Sequence, residues 1–173
     1  MNSALVIIRL VMGSAMAAHG AQKLFGWFGG EGVQRIGAFM ESIGFRPGTR
    51  FAILAGLSEF LGGILLVLGL LNPVGPALMI AVMLVAALTF HRGHGFFNLK
   101  GGAEIPVLYI TGALVVALAG PGRYSVDHVL GLDQAIPRTV TWFAMALSVF
   151  GALGNVAMRD TNEPHRDPPG TGQ

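Results

Sequence analysis

Long apolar segments alternate with short polar or glycine-rich connections along most of this chain. A helix that spans a bilayer needs about 20 mostly apolar residues. Five segments approach that length and are predicted to be membrane helices: residues 5–24, 51–71, 73–90, 105–120 and 139–158. The fourth is the shortest and is expected to begin a turn earlier, near Ala103. The fifth also suits a helix that lies in the membrane interface, because it carries Trp142 and several small residues.

The connections predict how these helices are joined. Asn72-Pro73 leaves almost no loop between the second and third segments, which predicts an antiparallel hairpin. The first connection, residues 25–49, opens with aromatic residues and glycines. It then repeats apolar side chains at helical spacing opposite polar ones: Val33, Ile36, Met40 and Ile43 against Gln34, Arg35 and Glu41. This pattern predicts a short amphipathic helix in the membrane interface.

The composition supports an all-α integral membrane protein. Hydrophobic residues make up 53% of the 173 residues and charged residues only 12%, about half the share found in a soluble domain. The chain contains no cysteine, which excludes a disulfide, a thiolate metal site and a thiol nucleophile. A net charge of +2 without a basic run gives no support for nucleic-acid binding.

Basic residues are distributed unevenly between the two sides of the predicted bundle. The side that holds the first and third connections and the C-terminal segment has most of them: Lys23, Arg35, Arg46, Arg50, Arg92, Lys100, Arg159 and Arg166. The opposite side carries Arg9, Arg123 and Arg138. The first loop and the C-terminus are therefore predicted to be cytoplasmic. The polar, proline-rich segment 159–173 is predicted to be a disordered tail.

Some ionisable residues lie inside the predicted spans, where a charge is costly and is therefore a functional candidate. They are Arg9, His19, Lys23 and Glu59. Arg9 and Lys23 share one face of the first helix, and Glu59 lies between Gly56 and Gly63 on one face of the second. Glycines at such positions allow two membrane helices to approach closely.

Counting residues from the loop ends places Glu59 level with Ala15 on the first helix. Arg9 and His19 then lie within reach of Glu59 through their long side chains. This predicts a buried Arg9–Glu59–His19 network, a polar pocket near the middle of the membrane. The alternative is that Arg9 and Glu59 neutralise each other and only fix the register of the helices.

A second group of polar residues lies near the third connection. His91, His94 and Glu104 are on the same predicted side as Lys23, and two imidazoles with a carboxylate could bind a metal. Gly93 indicates a loop instead of a rigid helix face, so an interfacial histidine pair is the simpler interpretation. Haem would need an inward-facing histidine, for which His19 is the candidate. No metal site is assigned, and haem or a metal is less favoured than a quinone.

Several short motifs, rich in glycine and in the ionisable residues named above, follow one another along the chain. The first predicted helix and the start of its loop contain Arg9-Leu10 with Gly13, then His19-Gly20-Ala21-Gln22-Lys23-Leu24-Phe25-Gly26 and Phe28-Gly29-Gly30. The second helix and the hairpin contain Leu54-Ala55-Gly56 with Glu59 and Gly62-Gly63, then Leu68-Gly69-Leu70 with Pro73. The later connections contain His91 with Gly95-Phe96-Phe97 and Gly101-Gly102-Ala103-Glu104, then Gly120-Pro121-Gly122-Arg123-Tyr124-Ser125-Val126-Asp127. Together they cover about residues 5–133. This ordered set resembles the DoxX family of small bacterial membrane proteins.

The resemblance implies a four-helix membrane bundle over residues 1–133, with residues 139–158 as an additional hydrophobic helix. It also implies an association with membrane redox chemistry, since some members are subunits of quinone-linked oxidase systems or of oxidative-stress complexes. The family usually has a tyrosine after the loop glutamate, where this chain has Ile105. The thiol chemistry of distantly similar oxidoreductases does not transfer to a chain without cysteine.

The function predicted from residues and resemblance is an integral membrane subunit of a redox system, linked to a quinone or to oxidative stress, in the bacterial cell membrane. The candidate catalytic groups are Glu59, His19 and Arg9. The candidate cofactor-binding groups are His19, Lys23, Glu59, His91 and Glu104. The expected partners are the lipid bilayer, a membrane or peripheral redox protein and further copies of this chain.

Two other functions stay open. The first is a non-enzymatic scaffold or assembly protein, whose polar network would fix helix register while its glycine-rich faces pack against partners. The second is a binder or transporter of a small molecule or lipid. A transporter is disfavoured because the spans contain no pair of broken helices and no inverted repeat.

Overall fold

The computed structural model describes residues 2–160 and is helical throughout, which confirms the predicted all-α class. Its helices are α1 (Asn2–Phe25), α2 (Gly32–Ser42), α3 (Gly48–Leu68), α4 (Val74–Thr89), α5 (Glu104–Ala119), α6 (Val126–Val129), α7 (Leu132–Ala135) and α8 (Arg138–Ala157). Helix α2 is the amphipathic helix predicted in the first loop, and α5 begins one residue after Ala103. Most of the predicted tail, residues 161–173, lies outside the described residues.

Within the described residues, α1, α3 and α8 are long and apolar enough to cross a membrane. Helices α4 and α5 are equally apolar but have 16 residues each, which corresponds to about 24 Å of helix. Five apolar helices therefore form the body of the protein, in agreement with the five predicted segments. The buried core lies between α1, α3, α4, α5 and α8 and is rich in methionine: Met16, Met79, Met83 and Met145.

Helices α1 and α3 are antiparallel and pack with their backbones in contact. A Cβ atom added at Gly13 would lie 2.8 Å from Gly63 O, and one added at Gly20 would lie 2.7 Å from Gly56 O. Because lipid tails are as apolar as leucine, membrane helices gain most from such close van der Waals packing. These glycines therefore set both the distance between the two helices and their register.

Helix α8 packs against α4, and its end is joined to the first loop. Arg159 Nε donates to Ile43 O at 2.8 Å, and its guanidinium lies 5.6 Å from the centre of the Phe45 ring. The backbone N–H of Asp160 also donates to Gly44 O at 2.9 Å. The first loop and the end of α8 thus lie on the same side of the bundle, as the distribution of basic residues predicts. That this side is cytoplasmic stays a prediction.

The opposite end of the bundle is held together by Arg9. Its guanidinium donates four hydrogen bonds to backbone carbonyls: Leu66 O at 3.0 Å, Val67 O at 2.9 Å, Pro121 O at 2.7 Å and Tyr124 O at 2.9 Å. The first two carbonyls belong to the last turn of α3, and the other two follow α5. Asp127 is fully buried nearby and accepts from the backbone N–H groups of Leu71 and Asn72, both at 2.8 Å. Arg9 and Asp127 therefore fix the α3–α4 hairpin to the segment after α5.

Candidate functional site in a cavity covered by helix α2

A cavity of about 260 Å³ lies where α1, α3, α4 and α5 meet beneath α2. Helix α2 contributes apolar side chains to its wall, among them Ile36 and Phe39. Phe39 packs against Phe90 at the end of α4, with 4.4 Å between the ring centres and the two rings tilted by 43°. We refer to this space as the head cavity. It combines mostly apolar walls with a few polar groups, which is the usual character of a small-molecule site.

The polar end of the head cavity is centred on an ion pair between Lys23 of α1 and Glu59 of α3. Glu59 is only 1% exposed, whereas the Lys23 side chain is 26% exposed. The ion pair uses Glu59 Oε1, and the buried Oε2 has no hydrogen-bond partner. Lys23 retains two further N–H donors, since an ammonium group has three. The site therefore offers both a donor and a buried acceptor to a ligand.

Two histidines line the same cavity, and their hydrogen bonds define which nitrogen is available. His19 Nδ1 lies 3.1 Å from Gln22 Oε1, and the amide of Gln22 is oriented by its donation to Phe28 O at 3.2 Å. His91 Nδ1 lies 2.6 Å from Gly101 O. Both Nδ1 atoms face oxygen acceptors, so the neutral imidazoles carry their proton there. Nε2 of each ring is then an acceptor that these bonds do not use.

Tyr109 of α5 also lines the head cavity and is close enough to Glu59 to be affected by its charge. Tyr109 is not among the site residues predicted from the sequence. The sequence feature that could have identified Tyr109 is its spacing from Ile105. Ile105 also lines the cavity and precedes Tyr109 by one helical turn. Ile105 occupies the position where the family usually has tyrosine. Tyr109 supplies a hydroxyl on the same helix face, one turn farther along α5.

The predicted Arg9–Glu59–His19 network is wrong in its Arg9 contact. The guanidinium of Arg9 binds carbonyls at the end of α3, and Glu59 pairs with Lys23 instead. The cause is the register of α1 against α3. Gly20 lies against Gly56 and Phe60, so Glu59 is level with His19, about one turn from the position obtained by counting from the loop ends. Arg9 lies opposite Leu66, about 10 Å farther along α3.

Of the five predicted cofactor-binding residues, four line the head cavity: His19, Lys23, Glu59 and His91. Glu104 does not; its Oε2 accepts from the backbone N–H of Asn98 at 2.9 Å and so stabilises the loop before α5. Across residues 2–160, no three His, Asp or Glu side chains come together in a way that could hold a metal ion.

These features define the class of the protein: a small helical membrane protein with a ligand-sized cavity near one end of its bundle. The family model for DoxX matches residues 4–92, just over half of the chain, and the chain belongs to the DoxX family. The chain is also 31% identical over 135 residues to the uncharacterized membrane protein Rv3486 of Mycobacterium tuberculosis (strain ATCC 25618 / H37Rv). That alignment covers 72% of this chain and 80% of the relative. No solved structure matches the chain.

Proposed function

We propose that this protein is a membrane subunit of a redox system and that it binds a quinone in the head cavity. One observation carries the proposal: a buried carboxylate with an unpaired oxygen and a lysine with spare donors lie at the polar end of an apolar cavity. An unpaired buried polar atom costs free energy, so the site is suited to a ligand that supplies the missing donor. A quinone in its reduced form, the quinol, does so, because its hydroxyl can donate to Glu59 Oε2.

The residues present fit a quinone ring. The ring is flat and apolar. Its two oxygens accept hydrogen bonds as carbonyls, and as the hydroxyls of the quinol they can also donate one to Glu59 Oε2. Lys23 Nζ and the Tyr109 hydroxyl are donors on the cavity wall, and Phe39 and Met83 provide apolar surface. A volume of about 260 Å³ lies just below the usual range for sites of drug-sized ligands, about 300–1,000 Å³, and so suits a compact ring.

A bound quinone supplies the electron chemistry, by accepting or giving two electrons and two protons. Lys23 would bind a carbonyl oxygen and offset negative charge on it, an interaction strengthened by the apolar surroundings. Glu59 Oε2 would hold a proton beside the ring. His19 is exposed at the edge of the site, and an imidazole can both accept and donate a proton, so it would exchange that proton with the interface.

Electrons would come from a protein partner, because this chain contains no thiol to carry them. The described surface of α8 offers a large apolar face, with Phe143 and Phe150 each about 70% exposed. Lipid, a redox partner or a second copy of the chain could contact this face. The redox partner and the homo-oligomer stay predictions.

The experiment measures binding to purified protein in lipid nanodiscs, with 2-methyl-1,4-naphthoquinone as the probe, kept in its quinol form by a reductant so that a hydroxyl can donate to Glu59 Oε2. Lys23→Met and Glu59→Gln are each expected to weaken binding about tenfold or more, the usual effect of losing a hydrogen bond to a charged group. Glu31→Gln and Lys100→Met are matched controls, since Glu31 and Lys100 lie outside the cavity lining. The controls should bind as the unchanged protein does.

A double variant, Lys23→Met with Glu59→Gln, separates this proposal from the scaffold function. The scaffold function has its own support, because the ion pair connects α1 with α3 and could serve helix register alone. Removing both charges leaves no uncompensated buried ion, so the double variant should fold better than either single variant. A folded double variant without quinone binding supports the proposal. A folded double variant that binds as well as the unchanged protein contradicts it.

A further inference from the structure

A second cavity, of about 230 Å³, lies between α3, α4 and α8 and has no role in the proposed function so far. We refer to it as the tail cavity. Its lining is apolar except for Ser58 of α3 and Asn155 of α8. A cavity of this character cannot hold a charged or strongly polar group at low cost, since it offers few partners for one. Its natural occupant is an apolar chain.

The two cavities are neighbours. Five residues line both of them: Met40, Phe45, Ala55, Val82 and Val85. The shared wall is therefore made of apolar side chains from α2, the loop after it, α3 and α4. Met40 is unbranched and has three rotatable side-chain bonds, so it can change rotamer to let a chain pass. All five side chains of the shared wall are apolar, so an apolar chain that crosses it leaves no polar side chain without a partner.

The tail cavity also reaches the surface that faces lipid. Two of its lining residues, Leu54 of α3 and Gly151 of α8, are exposed, Leu54 by 53%. A Cβ atom added at Gly151 would meet nothing within 4 Å, so the space beside this residue is open. The opening lies between two helices that are long and apolar enough to cross the membrane. A chain bound in the cavity could therefore continue into the bilayer.

We infer that the tail cavity binds the apolar chain of the same ligand whose polar ring occupies the head cavity. The inference rests on the proposed function and specifies its ligand: a quinone with a prenyl-type chain, not a tail-less ring. Helix α8 forms one wall of this site and lies beyond the family match at residues 4–92. Helix α8 is therefore the element of this protein that would determine the preference for a quinone with a prenyl chain.

The tail cavity contributes more to the choice between prenylated and tail-less quinones than to the overall affinity. A prenyl chain is already in an apolar solvent within the bilayer, so its transfer to the protein gains no hydrophobic free energy. What the cavity adds is van der Waals packing, together with a fixed direction for the chain. A prenyl chain held in this cavity in turn keeps the ring in one orientation against Lys23 and Glu59. A tail-less ring has no such restraint.

The test compares two probes in nanodiscs: 2-methyl-1,4-naphthoquinone and the same ring with a two-unit prenyl chain. Dissociation constants are expressed as mole fractions in the lipid, so that partitioning into the bilayer cancels. Gly151 lines the tail cavity, and a Cβ atom there meets nothing within 4 Å, so Gly151→Leu adds a side chain at the opening of the cavity without a backbone clash. Gly154→Leu is the matched control, because Gly154 lies on the same helix, also has open space around it and is absent from the cavity lining.

The unchanged protein and Gly154→Leu should bind the prenylated probe about fivefold or more tightly than the tail-less probe. Gly151→Leu should remove that preference and leave binding of the tail-less probe unchanged. The leucine side chain and the prenyl chain would compete for the same space, and such overpacking costs at least as much free energy as a fivefold preference represents. Equal binding of both probes by the unchanged protein, or a preference that survives Gly151→Leu, overturns this inference alone. Binding of neither probe overturns the proposed function, and this inference with it.

Discussion

Replacing Gly20 by alanine tests how closely α1 and α3 must approach to build the site. An added Cβ would lie 2.7 Å from both Gly56 O and Phe60 Cα, and closer still to the backbone nitrogen of Phe60. All three neighbours are backbone atoms of α3, so no side chain can rotate away. Since carbon atoms prefer separations of about 3.5–4 Å, the helices must move apart locally by about 1 Å.

The cost of Gly20→Ala follows from that displacement. Overpacking of a tight interface costs about 1–3 kcal/mol, and a gap of about 1 Å forfeits up to half of the dispersion attraction of the atoms that face it. Alanine also gains about 1 kcal/mol in helix propensity over glycine. Gly154→Ala gains the same propensity without a clash, because its Cβ meets nothing within 4 Å. The difference between the two variants therefore isolates the clash.

Unfolding of both variants in mixed micelles by a denaturing detergent measures this difference. We expect Gly20→Ala to be about 1–3 kcal/mol less stable than Gly154→Ala. Because Gly20 lies between His19 and Lys23 along α1, the same displacement should weaken quinone binding as well. If Gly20→Ala were as stable as Gly154→Ala, the close α1–α3 contact and the register derived from it would be refuted.

Two further variants test the buried groups at the other end of the bundle. Arg9→Met should destabilise the protein by about 3–5 kcal/mol in the same assay, since it leaves four backbone carbonyls without their donor and removes the positive charge near the buried Asp127. Arg9→Lys should cost less, because an ammonium group keeps the charge but only some of the four hydrogen bonds. Asp127→Asn should cost about 1–3 kcal/mol, because one oxygen that accepts from Leu71 or Asn72 becomes a donor. Unchanged stability in either series would show that these contacts are not formed in the membrane.

The helices and most of the polar site were predictable from the sequence for physical reasons. Apolar runs of spanning length can only be helices in a bilayer, and an ionisable residue inside such a run is conspicuous because its burial is costly. His19, Lys23 and Glu59 were found by that argument. The partner of Glu59 was not, since the register of two helices depends on which glycines meet and not on where the helices end.

Other parts of the site had weaker signals. Tyr109 lies in an apolar helix, where a tyrosine is equally compatible with a position facing lipid. Asp127 lies in the short helix α6, and nothing in its local sequence indicates that it would be buried near Arg9. The tail cavity depends on the packing of α8 against residues about 70–100 positions earlier in the chain, which no local pattern encodes.

The central claim is tested most directly by analysing what the protein carries out of its native membrane. The unchanged protein and the Lys23→Met/Glu59→Gln double variant are solubilised gently and purified, and their lipid extracts are compared with the bulk membrane by mass spectrometry. Our account predicts that a prenylated quinone is enriched over bulk lipid with the unchanged protein and not with the folded double variant. A quinone-to-lipid ratio equal to that of the bulk membrane in both samples would contradict it.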